Sequence, residues 1–543
     1  MRFEESHAYG SARWAEPHEI ARAGLLKPGG LPFGFFGSNP LFHHNGAGML
    51  ITGGAGSGKT TSLLVPLAAS NGRFFIFDVK GEQTAILLDG LAAIGGKGYC
   101  INPYGVFGFP RHRVSLLSHL KANSPTLVGD SRRLWNALLP NISGANNRFF
   151  DEKGRQWGDA ITRGIVAERG SVSFKSLYEA VCMIRADWDA WLDRAAHMAV
   201  SGPPDLEATL GEMIVMNSGE ARTFDSVMGG ITTALAFMAD PANQATFVDD
   251  AEADFTLDVL TQSEAGPVSV FVIVPPDLIE PNAPVLRQCF STMRTVKQRA
   301  PQAEPVTLVI DEAASLGPFP EIAEFFSIGR GLGVLPVCVF QDRGQAARNL
   351  GPTGAQTLSA NAAIELFLGG GIRDLATAQD LSRRLGNQTI ALDDKLTQAR
   401  ADRDRRVALR AALFEGADPW QTAIELRHQS YEIGHQQRQA RALMEPDEVL
   451  GLDAGKSLVL AGGYQLPPFL ADKRPYWKRR TLAGRFFPNP YVTRDLNSVP
   501  VPTRLGMRKR RIIEAPVPSW LSHFPQYADG RPLRYVEGFA PRP

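Results

Sequence analysis

Gly48-Met-Leu-Ile-Thr-Gly-Gly-Ala-Gly-Ser-Gly-Lys-Thr60 is the stretch that decides the fold. Met49 to Thr52 is short and apolar and predicts a buried strand, and Thr60 to Ala69 predicts a helix. Between them Gly53, Gly58, Lys59 and Thr60 keep the spacing G-x-x-x-x-G-K-[ST], with Gly54, Ala55, Gly56 and Ser57 inside the loop and Thr61 just behind it. Glycines let backbone N–H groups turn inward around phosphate oxygens, where a Cβ would obstruct them. The following helix offers its unpaired N-terminal N–H groups to the same anion. Lys59 is placed to reach the β- and γ-phosphates, and the Thr60 hydroxyl to ligate Mg2+. A flexible Gly/Ser loop shares the composition but lacks the flanking strand and helix. The stretch predicts a nucleotide site for ATP and Mg2+.

Working outward, Arg73 to Asp78, Val268 to Val274, Val306 to Ile310, Val334 to Phe340, Ile364 to Leu368 and Leu458 to Ala461 are nearly continuous apolar runs. They are rich in β-branched and aromatic residues and do not alternate. Such runs suit strands buried on both faces, hence an α/β fold with a mainly parallel sheet between helices. Val306 to Glu312 ends in two carboxylates, the Walker B arrangement. Asp311 is expected to hold Mg2+ through its water shell, and Glu312 to orient and polarise an attacking water. Gln341 ends the next predicted strand, where its amide can sense a γ-phosphate. Arg330 lies between Gly329 and Gly331. It reads either as an arginine finger reaching into a neighbouring subunit's site or as a surface arginine in a turn.

With 543 residues the chain exceeds one ordinary core, so two or three domains are expected. From about 149 to 250 the strand pattern gives way to helical spacing: Trp157, Ile161 and Ile165, then Phe224, Val227, Met228, Ile231, Leu235 and Met238. The tract Val181 to Met198, with Trp188 and Trp191, is helical in composition. The predicted layout is 1–148, an N-terminal segment and the first part of a nucleotide-binding domain; 149–250, an inserted all-α domain; 251–470, the rest of the nucleotide-binding domain; and 471–543, a basic Pro-rich extension. Residues 400–429 carry many arginines and predict a solvated helical excursion. Between Lys473 and Arg511 twelve Lys/Arg stand against one acid, Asp495, interleaved with Tyr476, Trp477, Phe486, Phe487 and Tyr491. That tract reads either as a nucleic-acid or acidic-partner surface or as a solvated tail strapped over the domain.

Lys+Arg 57 against Asp+Glu 56 leaves a net charge of +1, so any attraction to nucleic acid must be local. The tract 473–511 and loops near Gly329 to Gly333 are the candidates, with Tyr476 or Trp477 to stack on bases. Cys100, Cys182, Cys289 and Cys338 have no C-x-x-C spacing and read as buried reduced thiols. His43 and His44 are adjacent, which suits no helical metal pair, so a structural or surface role is expected. The charged start after Met1 does not resemble a signal peptide, and no apolar run approaches the ~20 residues of a membrane helix. A soluble, cytoplasmic chain is expected.

Taken together, these residues resemble the coupling proteins of type IV secretion, conjugative DNA-transfer ATPases that belong with the hexameric RecA-like DNA pumps. The resemblance runs through Gly10-Ser-Ala-Arg-Trp-Ala15, the P-loop, Asp78-Val-Lys-Gly-Glu82, Asp311-Glu-Ala-Ala-Ser-Leu-Gly317, Gly329-Arg-Gly331 with Gln341, Asn361 with Phe367-Leu-Gly369, Pro446-Asp-Glu448 and Pro488-Asn-Pro-Tyr491. It implies a hexameric ring, single-stranded DNA carried with a relaxase, or effector proteins, as substrate, and a secretion channel as partner. The all-α insertion is then a cytoplasmic domain implicated in DNA and relaxosome recognition, and Arg330 the trans finger. Val79 departs from the family's proline. Members usually carry a membrane anchor before the Gly-Ser-Ala-Arg-Trp segment, and here nine residues precede it. Either the anchor has been cut away or this is a soluble variant that docks on membrane partners at the cytoplasmic face of the inner membrane. Two other functions share the P-loop: a double-stranded-DNA translocase of the chromosome-partitioning kind, and an effector-recruiting adaptor switched by ATP.

Overall fold

The computed structural model describes residues 9–140, 148–262, 266–393, 395–414, 436–504 and 506–542, with 418, 420, 423, 424 and 427. Eleven strands make the main sheet: β1 (Leu31–Phe36), β2 (Asn39–His43), β3 (Met49–Thr52), β4 (Arg73–Phe77), β5 (Lys97–Ile101), β6 (Val268–Val272), β7 (Val306–Ile310), β8 (Val334–Phe340), β9 (Ile364–Leu368), β10 (Lys456–Leu460) and β11 (Phe469–Asp472). Their order is β2-β1-β11-β10-β9-β3-β8-β7-β4-β6-β5. The seven from β9 to β5 are parallel. The other four extend the β9 side as an antiparallel wing. The predicted strand Leu458 to Ala461 therefore belongs to β10 and runs against the direction of β9.

The parallel strands are buried on both faces because helices cover both. Phe75, Phe77, Leu308 and Ile310 join the core on one side, with Phe290 of the helix Ile279–Arg299 and the helical domain. Phe74, Ile76, Met49 and Ile51 join the other, with Leu64 and Leu67 of the helix behind the P-loop. Each such side chain contributes about 2 kcal/mol on burial.

Helices Arg148–Arg169, Phe174–Ala186, Trp188–Ser201, Pro204–Gly219, Ala221–Leu235 and Pro241–Thr246 form the helical domain. Trp157, Ile161, Ile165, Phe224, Val227, Met228, Ile231, Leu235 and Met238 are all in its core. The tract Val181 to Met198 is two helices, not one. It breaks at Asp187, whose carboxylate accepts from the Ala190 N–H at 3.1 Å and caps the second. Helix Leu127–Leu138, ahead of the insertion predicted from 149, also packs here. Gly158 permits that approach, since a Cβ there would lie 2.2 Å from the Trp135 ring.

Helix Lys395–Phe414 begins the arginine-rich excursion, and residues 415–429 lie mostly outside the described residues. The C-terminal extension adds a three-stranded antiparallel sheet, Ser498–Thr503, Gly506–Ala515 and Leu533–Val536. It covers the free edge of β5: Gly98 N–H donates to Gln526 Oε1 (2.9 Å), and Gln526 Nε2 donates to Gly96 O (3.0 Å). Buried Asp89 meets Arg531 (3.3 Å) and Arg534 (3.1 Å) from the same extension. Cys182 is exposed on its helix, against expectation, while Cys100, Cys289 and Cys338 are buried. Among the described residues no helix is long and apolar enough to cross a membrane.

Candidate active site

The P-loop leaves β3 at the carboxyl-terminal edge of the parallel sheet. Gly53 N–H donates to Phe340 O (3.0 Å) and Gly54 N–H to Gly371 O (3.0 Å), so the loop is pinned to the tips of β8 and β9. Gly56 (φ 77°) and Gly58 (φ 81°) take the left-handed conformation that turns the loop. The chain then winds into a helix whose first part, Lys59–Leu64, is π-helical, followed by Val65–Ala68. No side chain caps its N-terminus at Gly58. Its first amides therefore face the loop without an intrahelical acceptor. Ser57 Oγ is buried and has no hydrogen-bond partner among the described residues. An orphaned hydroxyl, left-handed glycines and an uncapped helix end make an anion cradle that fits phosphate oxygens.

The two carboxylates arrive on β7, separated from β3 only by β8. Asp311 is pushed up to about 7 by burial, which Lys59 opposes and the carboxylates of Asp78, Glu82 and Glu312 reinforce. Among the described residues no three acidic, histidine or cysteine side chains cluster as a metal cage, so a divalent cation would keep most of its water and lean on Asp311 and the Thr60 hydroxyl, an oxygen pair that suits hydrated Mg2+. Glu312 sits at φ 60°, ψ 54°, a strained conformation for a side-chain-bearing residue. Its Oε1 accepts a 2.9 Å hydrogen bond from Gln341 Nε2 at the tip of β8. Gln341 is itself held by Gln345, whose Oε1 accepts from the Gln341 N–H at 3.0 Å. Lys59, Thr60, Asp311, Glu312 and Gln341 thus share one edge of the sheet. Thr61 turns its hydroxyl back toward Gly58 O (3.4 Å).

Arg330 is elsewhere. It belongs to the last turn of helix Glu321–Leu332, not to a loop, and is exposed. Its Cγ lies near Gly46, ahead of β3, so β3, about 13 Å long, runs between that point and its own P-loop. Gly329 and Gly331 are likewise helical, so no flexible loop spans 329–333.

Three further groups meet at this edge: Asp78, which opens the Asp78-Val-Lys-Gly-Glu82 segment but carries no role predicted from the sequence, and Gln83 and Lys473, which no motif announces. Buried Asp78 accepts from Thr84 N–H (2.7 Å) and Thr84 Oγ1 (2.8 Å) and is raised to about 6 by burial. Gln83 Nε2 lies 3.4 Å from Asp311 Oδ2. Lys473 Nζ donates to Ser57 O (2.7 Å) and Gly369 O (2.9 Å), tying the basic tract to the P-loop. Asn489 Nδ2 donates to Glu82 Oε1 (2.5 Å) and Tyr491 Oη to Lys80 O (2.8 Å), so the tract continues as a strap. Tyr476, Phe486 and Phe487 are buried beneath it, which removes Tyr476 as a stacking platform. His43 is structural, between Tyr464 Oη (2.9 Å) and Ala47 O (2.8 Å).

A P-loop strand, an intervening strand with a polar tip and a carboxylate-ended third strand define a RecA-like P-loop nucleotide-binding protein. The family described as type IV secretory system conjugative DNA transfer matches residues 13–408, and the chain belongs to it. Protein VirD4 of Rhizobium radiobacter is 22% identical over 522 residues, spanning 92% of this chain and 67% of that protein. Conjugal transfer protein TraG of Escherichia coli is 22% identical, spanning 91% and 80%. The bacterial conjugative coupling protein TrwB, solved without its first 70 residues, shares the fold at TM-score 0.60 and 19% identity, over 85% of this chain and 93% of that one. TrwB has also been solved with ADP and Mg2+ (TM-score 0.58, 18% identity, over 85% and 93%).

Proposed function

We propose that the chain is an ATP-hydrolysing coupling protein that moves relaxase-bound single-stranded DNA, or protein, toward a type IV secretion channel. It would work as a hexameric ring at the cytoplasmic face of the bacterial inner membrane. The observation that carries this reading is the meeting of P-loop, Asp311 and the Glu312–Gln341 hydrogen bond at one sheet edge. Lys59 and the amides of residues 54–61 bind the phosphates. Thr60 and Asp311 would hold Mg2+, which when bound neutralises charge on the phosphate oxygens. Glu312, aimed by Gln341, positions the attacking water and takes up its proton. Exposed Arg330, far from its own P-loop, is available to a neighbour's site. Binding of nucleotide by TrwB supports the cofactor assignment.

The test is phosphate release with and without single-stranded DNA. Lys59→Ala should abolish turnover, by roughly a hundredfold or more, while thermal unfolding stays native-like. Native-rate turnover in that variant would sink the assignment. Turnover indifferent to every DNA form would point to an adaptor instead of a pump.

A further inference from the structure

The first half of the basic strap does more than hold the P-loop. Between the β1–β2 hairpin, the far end of the P-loop helix and residues 474–485 lies a groove of about 660 Å³. Arg474, Lys478, Arg479, Arg480 and Arg485 line it, and no carboxylate does. Among the described residues none of these five forms an ion pair. Their recorded acceptors are neutral carbonyls: Arg474 donates to Gly37 O (2.6 Å), Arg479 to Ser62 O (2.5 Å) and Arg474 O (2.9 Å), and Arg480 to Thr503 O (3.5 Å). Arg474 and Arg479 also stand over the same Phe35 ring, 4.3 and 4.9 Å from its centroid. Like charges on one ring, without a counter-ion, repel unless an anion joins them. Two cations of the tail hairpin differ. Lys509 pairs with Asp495 (2.5 Å) and Arg510 faces Glu537 (3.9 Å).

We propose that this groove binds the phosphodiester backbone of single-stranded nucleic acid. Fixed guanidiniums in a recess match successive phosphates of a flexible strand, and the half-buried Phe42 offers a ring to a splayed base. A bilayer is flat and does not follow a protein surface into a recess, which disfavours a membrane as the occupant. The groove also has a route to the ATP site. Arg479 grips Ser62 O of the π-helical turn, and Lys473, one residue before Arg474, grips Ser57 O. An anion that repositions the strap therefore pulls on the P-loop from behind. The proposal rests on the reading of the chain as a DNA-transfer motor, and its test uses affinity alone, without ATP. Failure of the groove thus leaves the P-loop assignment standing, and failure of turnover leaves the groove measurable.

Fluorescence anisotropy of an oligothymidylate of about 20 nucleotides, titrated with the full chain over a range of salt, is the experiment. Lys478→Gln with Arg480→Gln should weaken binding about tenfold and reduce the slope of log K against log salt by about 1.4, at about 0.7 per lost contact. Lys509→Gln with Arg510→Gln, the two ion-paired cations of the tail hairpin, should change affinity less than about twofold. Single substitutions Lys478→Gln and Arg480→Gln, each expected to give about half the slope change, serve if the double variant fails to fold. Native affinity and slope in the groove variants, or loss only in the tail variant, overturns the proposal. Displacement of the strand by equimolar pyrophosphate overturns it in favour of a small-anion site. Loss of phosphatidylglycerol-vesicle binding with oligonucleotide binding intact overturns it in favour of a membrane.

Discussion

In the parallel half of the sheet β3, β4, β6, β7 and β9 bury every residue, whereas in the wing β1 and β2 mix buried positions with half-exposed and exposed ones. The first kind of strand is apolar along its length and turns polar only at its tip. Catalytic groups therefore collect where β3, β7 and β8 end: Lys59, Asp311, Glu312 and Gln341. The second kind leaves one flank for other segments to cover, and the basic strap covers it. One half of the sheet presents the chemistry, and the other carries the segment that grips the P-loop from outside. Substitutions in the first should stop turnover, and substitutions in the second should alter stability and coupling.

The largest effect is expected at the tip of β7. Glu312→Gln keeps a hydrogen-bonding partner for Gln341 but removes the base, so turnover should fall about a hundredfold or more while nucleotide binding persists. Equilibrium binding of a fluorescent ATP analogue beside phosphate release separates the two. Loss of both together would mean that Glu312 holds the loop instead of the water. Next comes the interface between copies. Arg330→Ala and Lys59→Ala proteins should each be nearly inactive, yet rings mixed from the two should recover part of the activity, because some interfaces pair an intact P-loop with an intact arginine. Mixed rings, verified by mass, that stay dead would argue against a shared site.

The contrast also explains what the sequence made legible. The P-loop and the Val306–Glu312 strand are local patterns, and strands buried on both faces look the same wherever they occur. β5, Lys-Gly-Tyr-Cys-Ile, carries a glycine and a lysine that break its apolar run. β1 and β2 contain Pro32, Gly34 and Pro40 and are only partly buried. Flanked by glycines, Arg330 reads as a loop residue, whether finger or turn. In the structure Gly329 lets the helix lie against β8, where a Cβ would come within 2.7 Å of Val334 O. Lys473 was out of reach altogether, since it meets Ser57 across 416 residues of sequence. No spacing rule covers such a contact.

On the far edge of the sheet the extension's grip on β5 gives a smaller, purely structural effect. Asp89 is buried and depends on Arg531 and Arg534. Replacing both with Ala should cost about 3 kcal/mol in denaturant unfolding, by leaving a buried carboxylate unpaired. Removing residues 496–543 wholesale would do the same and also strip the cover from β5. Truncation is therefore a poor probe of DNA binding, and point substitutions are the better one. If Arg531→Ala with Arg534→Ala unfolds like the native chain, the extension is not fastened at Asp89.

The smallest effect tests whether the strap's hold on the P-loop carries an electrostatic cost. Burial pulls Lys473 down to about 8, with Asp453 opposing the shift. In the unfolded chain its ammonium keeps the proton to about 10.4. Between those values the unfolded state binds more protons than the folded one, so the lysine's contribution to stability rises with pH. Lys473→Met keeps the stem and has no proton to release. At pH 7 the variant loses two hydrogen bonds, to Ser57 O and Gly369 O, but is also freed from burying a charge, so the two changes partly offset. As pH climbs from 8 toward 10 the native chain sheds that charge while still donating to both carbonyls. The gap in unfolding free energy should therefore widen in its favour. Urea melts of both proteins at pH 7, 8.5 and 9.5 measure it. A gap that stays flat or narrows would mean that Lys473 titrates as a solvated side chain and that the strap lies over the P-loop without holding it.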